Sequence, residues 1–232
     1  MPWGSYRAVL FDLDGVITPT AEIHQQAWGQ LFEPWGYTTE DYLRFIDGKP
    51  RYDGVRSFLQ AKGESIPEGD PEDPPGDETV CGLGNKKNEL FNAILEREGV
   101  DAYIGSLALL DHLDRLGVVQ AIVSSSKNAR SVLKAAGLID RFPHIVDGVV
   151  AAREGLAGKP DPAMFFRAAE LLGRNPSESV VVEDATSGVA AGTAGGFALV
   201  LGVDRGGNRT ALQRAGADLV VDDLAETLAE TS

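Results

Sequence analysis

Short apolar runs rich in β-branched residues recur along the chain and alternate with segments in which apolar residues have helical spacing. The runs predict strands at 8–11, 118–123, 145–150, 179–182, 198–202 and 218–221. The helical segments between them lie at 107–116, 129–136, 163–172 and 187–194. Alternation of this kind is typical of a parallel sheet covered by helices on both faces. We therefore expect an α/β fold with a Rossmann-like, doubly wound core.

The interval 18–99 departs from this rhythm and reads as a helical insertion after the first strand. Amphipathic helices are predicted at 21–33, 39–45, 52–62 and 86–98. The stretch 63–79 is rich in Pro, Gly, Asp and Glu, which predicts a solvated loop. Two domains are expected: a catalytic core from 1–17 and 100–232, and a small helical domain at 18–99.

Composition narrows the classes of partner. The chain has 232 residues, of which 43% are hydrophobic, and its 35 acidic against 21 basic side chains give a net charge of -14. This charge disfavours binding to nucleic acid or to an anionic membrane, although a small basic pocket could still take a phosphorylated substrate. Cys81 is the only cysteine, which fits a reducing compartment. With no signal-peptide pattern and no long apolar run, we expect a cytoplasmic protein. The sequence has no feature that specifies an oligomeric state, and a monomer is the default expectation.

Two carboxylates follow the first predicted strand. Asp12 and Asp14 are two residues apart, so in an extended chain they point to the same side, and Gly15 ends the strand. Ligands of open α/β sheets bind at this end of the strands. By itself the pair is compatible with a turn, a metal loop, a phosphotransferase or a phospho-acceptor signalling module.

Three further polar segments follow strands or precede helices. Ser124, Ser125 and Ser126 end the second strand, where hydroxyls can cradle a phosphate or merely cap the next helix. Lys159 lies in a proline-bounded loop and could neutralise a phosphoryl group or a charged aspartate, or could simply be solvated. Glu183 and Asp184 end another apolar strand, where acids need a cation or a partner, or where Asp184 caps a helix.

These four elements, in this order and over most of the chain, resemble those of the haloacid dehalogenase superfamily of phosphotransferases. The resemblance implies that Asp12 is the nucleophile and forms an aspartyl-phosphate, and that Asp14 is the general acid/base. It also implies that Ser124 and Lys159 hold the transferring phosphoryl group.

The same resemblance implies a Mg²⁺ cofactor. Asp12 and Asp184 would be direct carboxylate ligands, Asp14 would contribute its main-chain carbonyl, and Glu183 would be an outer or adjacent ligand. Magnesium prefers such hard oxygen donors.

The helical insertion resembles the small cap of sugar phosphomutases in this superfamily. The resemblance implies that Thr20 and His24 position the general acid/base, and that Gly48 and Arg51 bind the phosphate that is not being transferred. The core residues Ser126, Lys127 and Asn128 would share that second phosphate site. Lys87 would contact the sugar, with the adjacent Lys86 as the alternative register.

The implied activity is interconversion of β-D-glucose 1-phosphate and glucose 6-phosphate through β-glucose 1,6-bisphosphate. A phosphatase acting on a sugar phosphate or another small phosphate ester is the alternative, because it would share every core residue. The chain departs from the mutase pattern at Pro19, Gly54 and Ala185, none of which removes a group that the chemistry requires.

Overall fold

The computed structural model describes residues 1–228, and the chain forms two compact units. Unit 1 comprises Met1–Pro19 together with the chain from Asp101 onward. Unit 2 comprises Thr20–Val100.

Unit 1 is built on a six-stranded sheet in which every neighbouring pair is parallel. The strand order is β3-β2-β1-β4-β5-β6, so β1 lies between strands that follow it much later in the chain. Because all the strands run the same way, their carboxyl ends share one edge. The strands are β1 (Ala8–Phe11), β2 (Val119–Val123), β3 (Ile145–Val146), β4 (Ser179–Glu183), β5 (Leu199–Val203) and β6 (Leu219–Val221).

Ten α-helices are described. Four lie in unit 2: α1 (Thr20–Phe32), α2 (Thr39–Asp41), α3 (Arg51–Ala61) and α4 (Val80–Glu98). Six lie in unit 1: α5 (Ile104–Leu116), α6 (Ala129–Ala135), α7 (Gly148–Glu154), α8 (Ala163–Leu171), α9 (Thr186–Ala194) and α10 (Arg209–Ala215). The predicted α/β class and doubly wound core are confirmed.

The apolar run at 145–150 was expected to be one strand, and this expectation is wrong after its second residue. Strand β3 ends at Val146, and the buried carboxylate of Asp147 accepts hydrogen bonds from the N–H groups of Val149 (3.0 Å) and Val150 (2.9 Å). A side-chain acceptor for these otherwise unpaired donors begins a helix, here α7.

Two elements of unit 2 also differ from their predicted bounds. Helix α4 begins at Val80 rather than at 86, because the Thr79 hydroxyl accepts the N–H of Gly82 at 2.9 Å and caps the helix there. The helix predicted at 39–45 is a single α-turn that continues as a wider π-type turn through Ile46. In unit 1, helix α10 was not predicted.

Each unit has a core of its own. In unit 1, the sheet residues Leu10, Ala121 and Val181 are completely buried against side chains from α8 and α9. In unit 2, Phe32 stacks on Phe58 with ring centroids 4.0 Å apart. Within residues 1–228, no helix is both long and apolar enough to cross a membrane.

The polar segment at 63–79 is irregular and mostly exposed, as predicted, but it is tied to unit 2. The guanidinium of Arg56 donates to Glu68 at 2.6 Å, and the amide of Asn85 donates to the carbonyl of Asp73 at 2.9 Å. These bonds give a loop with few apolar residues a defined path.

Candidate active site

The loop that follows β1 is tightly wound. The N–H of Asp12 donates to the carbonyl of Val182 (2.9 Å), which continues the pairing of β1 with β4 by one residue. Gly15 has a φ of 84°, in the left-handed region that favours glycine. A Cβ at Gly15 would lie 1.8 Å from Oδ2 of Asp184. Only glycine therefore lets the loop after β1 and the loop after β4, the two acidic loops, approach this closely.

Lys159 lies at the centre of the acidic groups and is almost fully buried. Its ammonium donates to Oδ1 of Asp12 (2.5 Å), to Oε1 of Glu183 (2.5 Å) and to the carbonyl of Val123 (3.0 Å). Three acceptors match the three donors of an ammonium group. The loop lysine of the sequence is therefore an interior cation that touches the predicted nucleophile, and the solvated interpretation is wrong.

Burial and charge act in opposite directions on this pair. Burial raises the pKa of Asp12 well above its ordinary value, and the positive charge of Lys159 opposes that rise. Burial alone would lower the pKa of Lys159, but the carboxylates of Asp12 and Glu183 raise it overall. Lys159 thus stays charged, and it compensates only part of the negative charge gathered at this edge of the sheet.

Glu183 is held on both of its oxygens. Oε1 accepts from Lys159, and Oε2 accepts from the N–H of Ala185 at 3.2 Å. A Cβ at Gly188 would lie 1.8 Å from Oε1, so the first turn of α9 leaves just enough room for the carboxylate. The buried glutamate is suited to orienting Lys159 and neighbouring ligands.

Three carboxylates could hold a metal ion. Asp12, Glu183 and Asp184 each offer an oxygen within 4.8 Å of the others. Hard oxygen donors with excess negative charge fit a divalent cation such as Mg²⁺ or Mn²⁺. The structure thus supports a divalent metal site at the carboxyl ends of β1 and β4.

The hydroxyls after β2 bond to the turn as well as to the predicted acid/base. Ser124 Oγ lies 3.4 Å from Oδ2 of Asp14 and accepts the N–H of Ser126 at 3.1 Å. Ser126 Oγ accepts the N–H of Asn128 at 3.1 Å. These side chains shape the turn before α6, and Ser124 also faces the acidic site. Lys127 is exposed on the same turn.

In unit 2, a buried basic cluster lies between α1 and α4. The Lys87 ammonium contacts Nδ1 of His24 and lies 5.1 Å from the ring centroid of Trp28 and 4.9 Å from that of Phe91. Lys87 is 3% exposed, whereas Lys86 is solvent-accessible and pairs with Glu89. Of the two registers left open by the sequence, the structure thus puts Lys87 beside His24.

Helix α3 presents the other predicted basic residue of unit 2. Arg51 donates through Nη2 to Oδ1 of Asn88 on α4 at 2.7 Å, and Tyr52 donates to Asn85 at 3.0 Å. A Cβ at Gly84 would lie 2.6 Å from the Tyr52 ring, so this glycine allows α3 and α4 to pack closely enough for these bonds.

The remaining predicted residues of unit 2 lie at element boundaries. Gly48 has a φ of 70° in the turn before α3, and Thr20 is completely buried at the start of α1. Gly54 also has a packing role, since a Cβ there would lie 3.3 Å from the Trp28 ring.

Four residues not predicted from the sequence contact predicted site residues or the loops that carry them. In unit 1, Gly188 lies against Glu183, and Arg205 and Asn208, in the loop after β5, donate to the carbonyls of Gly15 and Asp184. In unit 2, Asn88 accepts a hydrogen bond from Arg51. Polar residues follow β5 as they follow β1, β2 and β4, but no spacing in the sequence singles out Arg205 and Asn208, because their bonds run from side chain to main-chain carbonyl.

Comparisons with known proteins agree with this geometry. The family model for haloacid dehalogenase-like hydrolases matches residues 6–196. A β-phosphoglucomutase of Mycobacterium bovis (strain ATCC BAA-935 / AF2122/97) is 48% identical over 242 residues, covering 96% of this chain and 91% of that protein. Hexitol phosphatase A of Escherichia coli (strain K12) is 35% identical over 192 residues, covering 82% of this chain and 80% of that protein.

A crystal structure described as β-phosphoglucomutase from Clostridium difficile has the same fold. Its TM-score is 0.78 at 27% identity, with 95% of this chain and 92% of that chain covered. Since these matches span both units and the whole acidic site, they decide against a signalling module. The chain belongs to the haloacid dehalogenase-like hydrolase family.

Proposed function

We propose that this protein is a β-phosphoglucomutase, which interconverts β-D-glucose 1-phosphate and glucose 6-phosphate. The observation that carries the proposal is that each unit holds a cation suited to binding phosphate. Lys159 lies among the acids of unit 1, and Arg51 lies in unit 2. A bisphosphate intermediate needs a cation for each phosphate, and the relative that is 48% identical carries the same name.

Unit 1 supplies the transfer chemistry. In the first half of the cycle, phosphorylated Asp12 gives its phosphoryl group to a free hydroxyl of the sugar phosphate. The bond from phosphorus to the Asp12 oxygen breaks, Asp14 removes the proton of that hydroxyl, and β-glucose 1,6-bisphosphate forms. In the second half, the bisphosphate lies in the other orientation, a carboxylate oxygen of Asp12 attacks the other phosphorus, and Asp14 gives the proton to the sugar oxygen that leaves. Lys159 and Ser124 offset charge on the phosphoryl oxygens as the transition state forms.

The cofactor that fits best is Mg²⁺. Asp12 and Asp184 would hold it directly, with the main-chain carbonyl of Asp14, while Glu183, whose two oxygens already accept hydrogen bonds, would act as an outer partner. When bound, the ion screens the repulsion between the attacking carboxylate and the phosphate.

Unit 2 supplies specificity. Arg51 and Gly48 bind the phosphate that stays on the sugar, together with Ser126, Lys127 and Asn128 of unit 1. Lys87 contacts the sugar, and Thr20 and His24 position the acid/base. Units 1 and 2 are accordingly assigned as catalytic core and cap of a monomer that acts on a cytoplasmic sugar phosphate.

One assay separates a mutase from a phosphatase. Purified protein receives β-glucose 1-phosphate, MgCl₂ and a trace of β-glucose 1,6-bisphosphate, and both glucose 6-phosphate and free phosphate are quantified. A mutase forms glucose 6-phosphate in large excess. Predominant release of phosphate would instead support the alternative, a sugar-phosphate phosphatase, which the relationship to hexitol phosphatase A favours.

A variant pair tests the second phosphate site. Arg51→Ala should lower kcat/KM for isomerisation roughly 10- to 150-fold. This corresponds to about 1.5–3 kcal/mol of lost transition-state stabilisation, the range for a lost charged hydrogen bond. Arg56→Ala is the matched control, because Arg56 is on the same helix but pairs with Asp53 and Glu68 on the surface. Equal kcat/KM values for the two variants would show that Arg51 does not belong to the second phosphate site.

A further inference from the structure

The loop after β5 is organised around one carboxylate. Asp204 Oδ1 accepts the N–H groups of Gly206 (3.2 Å), Gly207 (2.6 Å) and Asn208 (2.9 Å), and Oδ2 accepts the N–H of Arg209 at 3.1 Å. Although burial acts against it, these main-chain donors hold the pKa of Asp204 below its ordinary value. The segment 204–209 therefore has a fixed shape.

Two side chains of this loop reach the two acidic loops of unit 1. Arg205 donates through Nε to the carbonyl of Gly15 at 2.8 Å. Asn208 donates through Nδ2 to the carbonyl of Asp184 at 3.1 Å. These carbonyls belong to the residue after Asp14 and to a candidate metal ligand itself.

Arg205 is anchored on further groups. Its Nη1 donates to the carbonyl of Asp222 at 3.1 Å, and its guanidinium lies 3.8 Å from the ring centroid of Tyr103. An arginine fixed by a stack and a second hydrogen bond holds its partner Gly15 in one place.

The acidic loops need such support because they lie outside the regular elements. Asp184 falls between the end of β4 at Glu183 and the start of α9 at Thr186. Gly15 lies directly against it, as the 1.8 Å approach of a Cβ at Gly15 to Asp184 Oδ2 shows. A shift of either main chain would move the Asp184 carboxylate relative to Asp12.

We propose that Arg205 and Asn208 are positioning residues of the metal site. By holding the main chains of Gly15 and Asp184, they keep the carboxylates of Asp12 and Asp184 at a spacing that one divalent cation can bridge. Neither side chain touches the reacting atoms. The inference rests on the divalent metal site assigned under the proposed function, and it assigns to the loop after β5 a share in metal affinity.

The test measures metal binding directly, without turnover. Mn²⁺ is titrated into the full-length protein, and free Mn²⁺ is read by electron paramagnetic resonance for wild type, Asn208→Ala and Arg205→Lys. We expect the Kd for Mn²⁺ to rise about 10-fold or more in each variant, the usual effect of losing a partner that orients a metal ligand. Arg205→Lys keeps the positive charge but cannot reproduce the forked contacts.

The control is Arg209→Ala, one residue beyond Asn208. The side chain of Arg209 donates to the carbonyl of Val220 and to Asp222, and so supports the same loop without contacting either acidic loop. Its Kd for Mn²⁺ should stay within about twofold of wild type, as for a residue outside the metal's surroundings.

The outcomes separate the two proposals. An unchanged Kd in folded Asn208→Ala and Arg205→Lys, whatever happens to their melting temperatures, overturns the positioning role. An equal loss of affinity in Arg209→Ala also overturns it, since general loosening of the loop would then explain the effect. If wild type binds Mn²⁺ but releases phosphate instead of forming glucose 6-phosphate, the mutase proposal is wrong. The Kd values of the variants still test the positioning role of Arg205 and Asn208 in that case.

Discussion

Asp14 is the residue on which proton transfer depends in the proposed cycle. Replacing it with Asn keeps the size and the contact partner Ser124 but removes the exchangeable carboxyl proton. We expect the rate of glucose 6-phosphate formation to fall by about 10²- to 10⁴-fold, the usual contribution of a positioned acid/base.

The control for this prediction is Asp140→Asn, at an exposed acid in the turn after α6. It should react at the wild-type rate. If Asp14→Asn formed glucose 6-phosphate at the wild-type rate, Asp14 would be excluded as the acid/base.

Gly188 is a second residue with a sharp requirement, because a Cβ there would collide with the Glu183 carboxylate. Gly188→Ala should push Glu183 away from Lys159 and weaken a buried ion pair. Loss of one partner of such a pair costs about 3–5 kcal/mol, so we expect up to about 3 kcal/mol less unfolding free energy in urea.

The comparison variant is Gly4→Ala, because a Cβ at Gly4 has no heavy atom within 4 Å and the glycine has no positive φ. Its stability should match wild type. If Gly188→Ala is as stable and as active as wild type, the tight fit around Glu183 contributes to neither stability nor activity.

Much of the acidic site was predictable from sequence at this scale. Asp12, Ser124 and Glu183 each follow a strongly apolar run, and parallel strands bring such ends together. Asn208 and Gly188 could not be found in that way. A hydrogen bond to a main-chain carbonyl and a shortage of space depend on how two distant loops pack, and neither produces a local pattern.

At the scale of elements, the loop between β5 and α10 should respond to pH through Asp204. In the folded state the pKa of Asp204 lies below its ordinary value of 3.8. The Asp204 carboxylate therefore stabilises the protein at pH values above 3.8, and this stabilisation is lost as the pH falls through the folded-state pKa. Asp204→Asn should reduce the unfolding free energy at pH 7 by about 1–2 kcal/mol, within the range for charged hydrogen bonds.

Urea unfolding at several pH values measures this difference. The difference in unfolding free energy between wild type and Asp204→Asn should narrow below about pH 4, because the wild-type carboxyl then becomes protonated and loses its charge. A gap that stays constant down to pH 2.5 would show that the charge of Asp204 does not hold the loop.

Elements were predicted best where the sequence pattern had one interpretation. Strand β1 is uniformly apolar, β4 has three valines between Ser179 and Glu183, and both strands are fully buried. The run at 145–150 is also mostly apolar, yet Asp147 in its middle converts its second half into α7. Periodicity cannot distinguish a short buried strand from a short buried helix, and here a single cap decided between them.

At the scale of the molecule, unit 2 is inserted at one point of unit 1. The N–H of Tyr103 donates to the carbonyl of Ile17 at 2.9 Å, so the chain leaves and re-enters unit 1 at neighbouring positions. Replacing 20–100 by a linker of about four Gly and Ser residues should therefore leave unit 1 folded, since such insertions are tolerated when their ends are close.

The shortened protein should keep an α/β circular dichroism spectrum and bind Mn²⁺ within about threefold of wild type, because the metal carboxylates and their supporting loop all lie in unit 1. It should form no glucose 6-phosphate. Retained isomerisation would show that Arg51 and Lys87 are dispensable, and an unfolded product would show that unit 1 depends on unit 2.

The position of β1 at the centre of the sheet affects how the chain can fold during synthesis. Ala8 pairs with Val119 on one side and with Ser179 on the other, so the strand made first waits for partners made much later. Meanwhile unit 2 is completed and can condense alone around Phe32 and Phe58. The four apolar residues of β1 are an unpaired strand throughout that interval, which favours slow folding and early contact with chaperones.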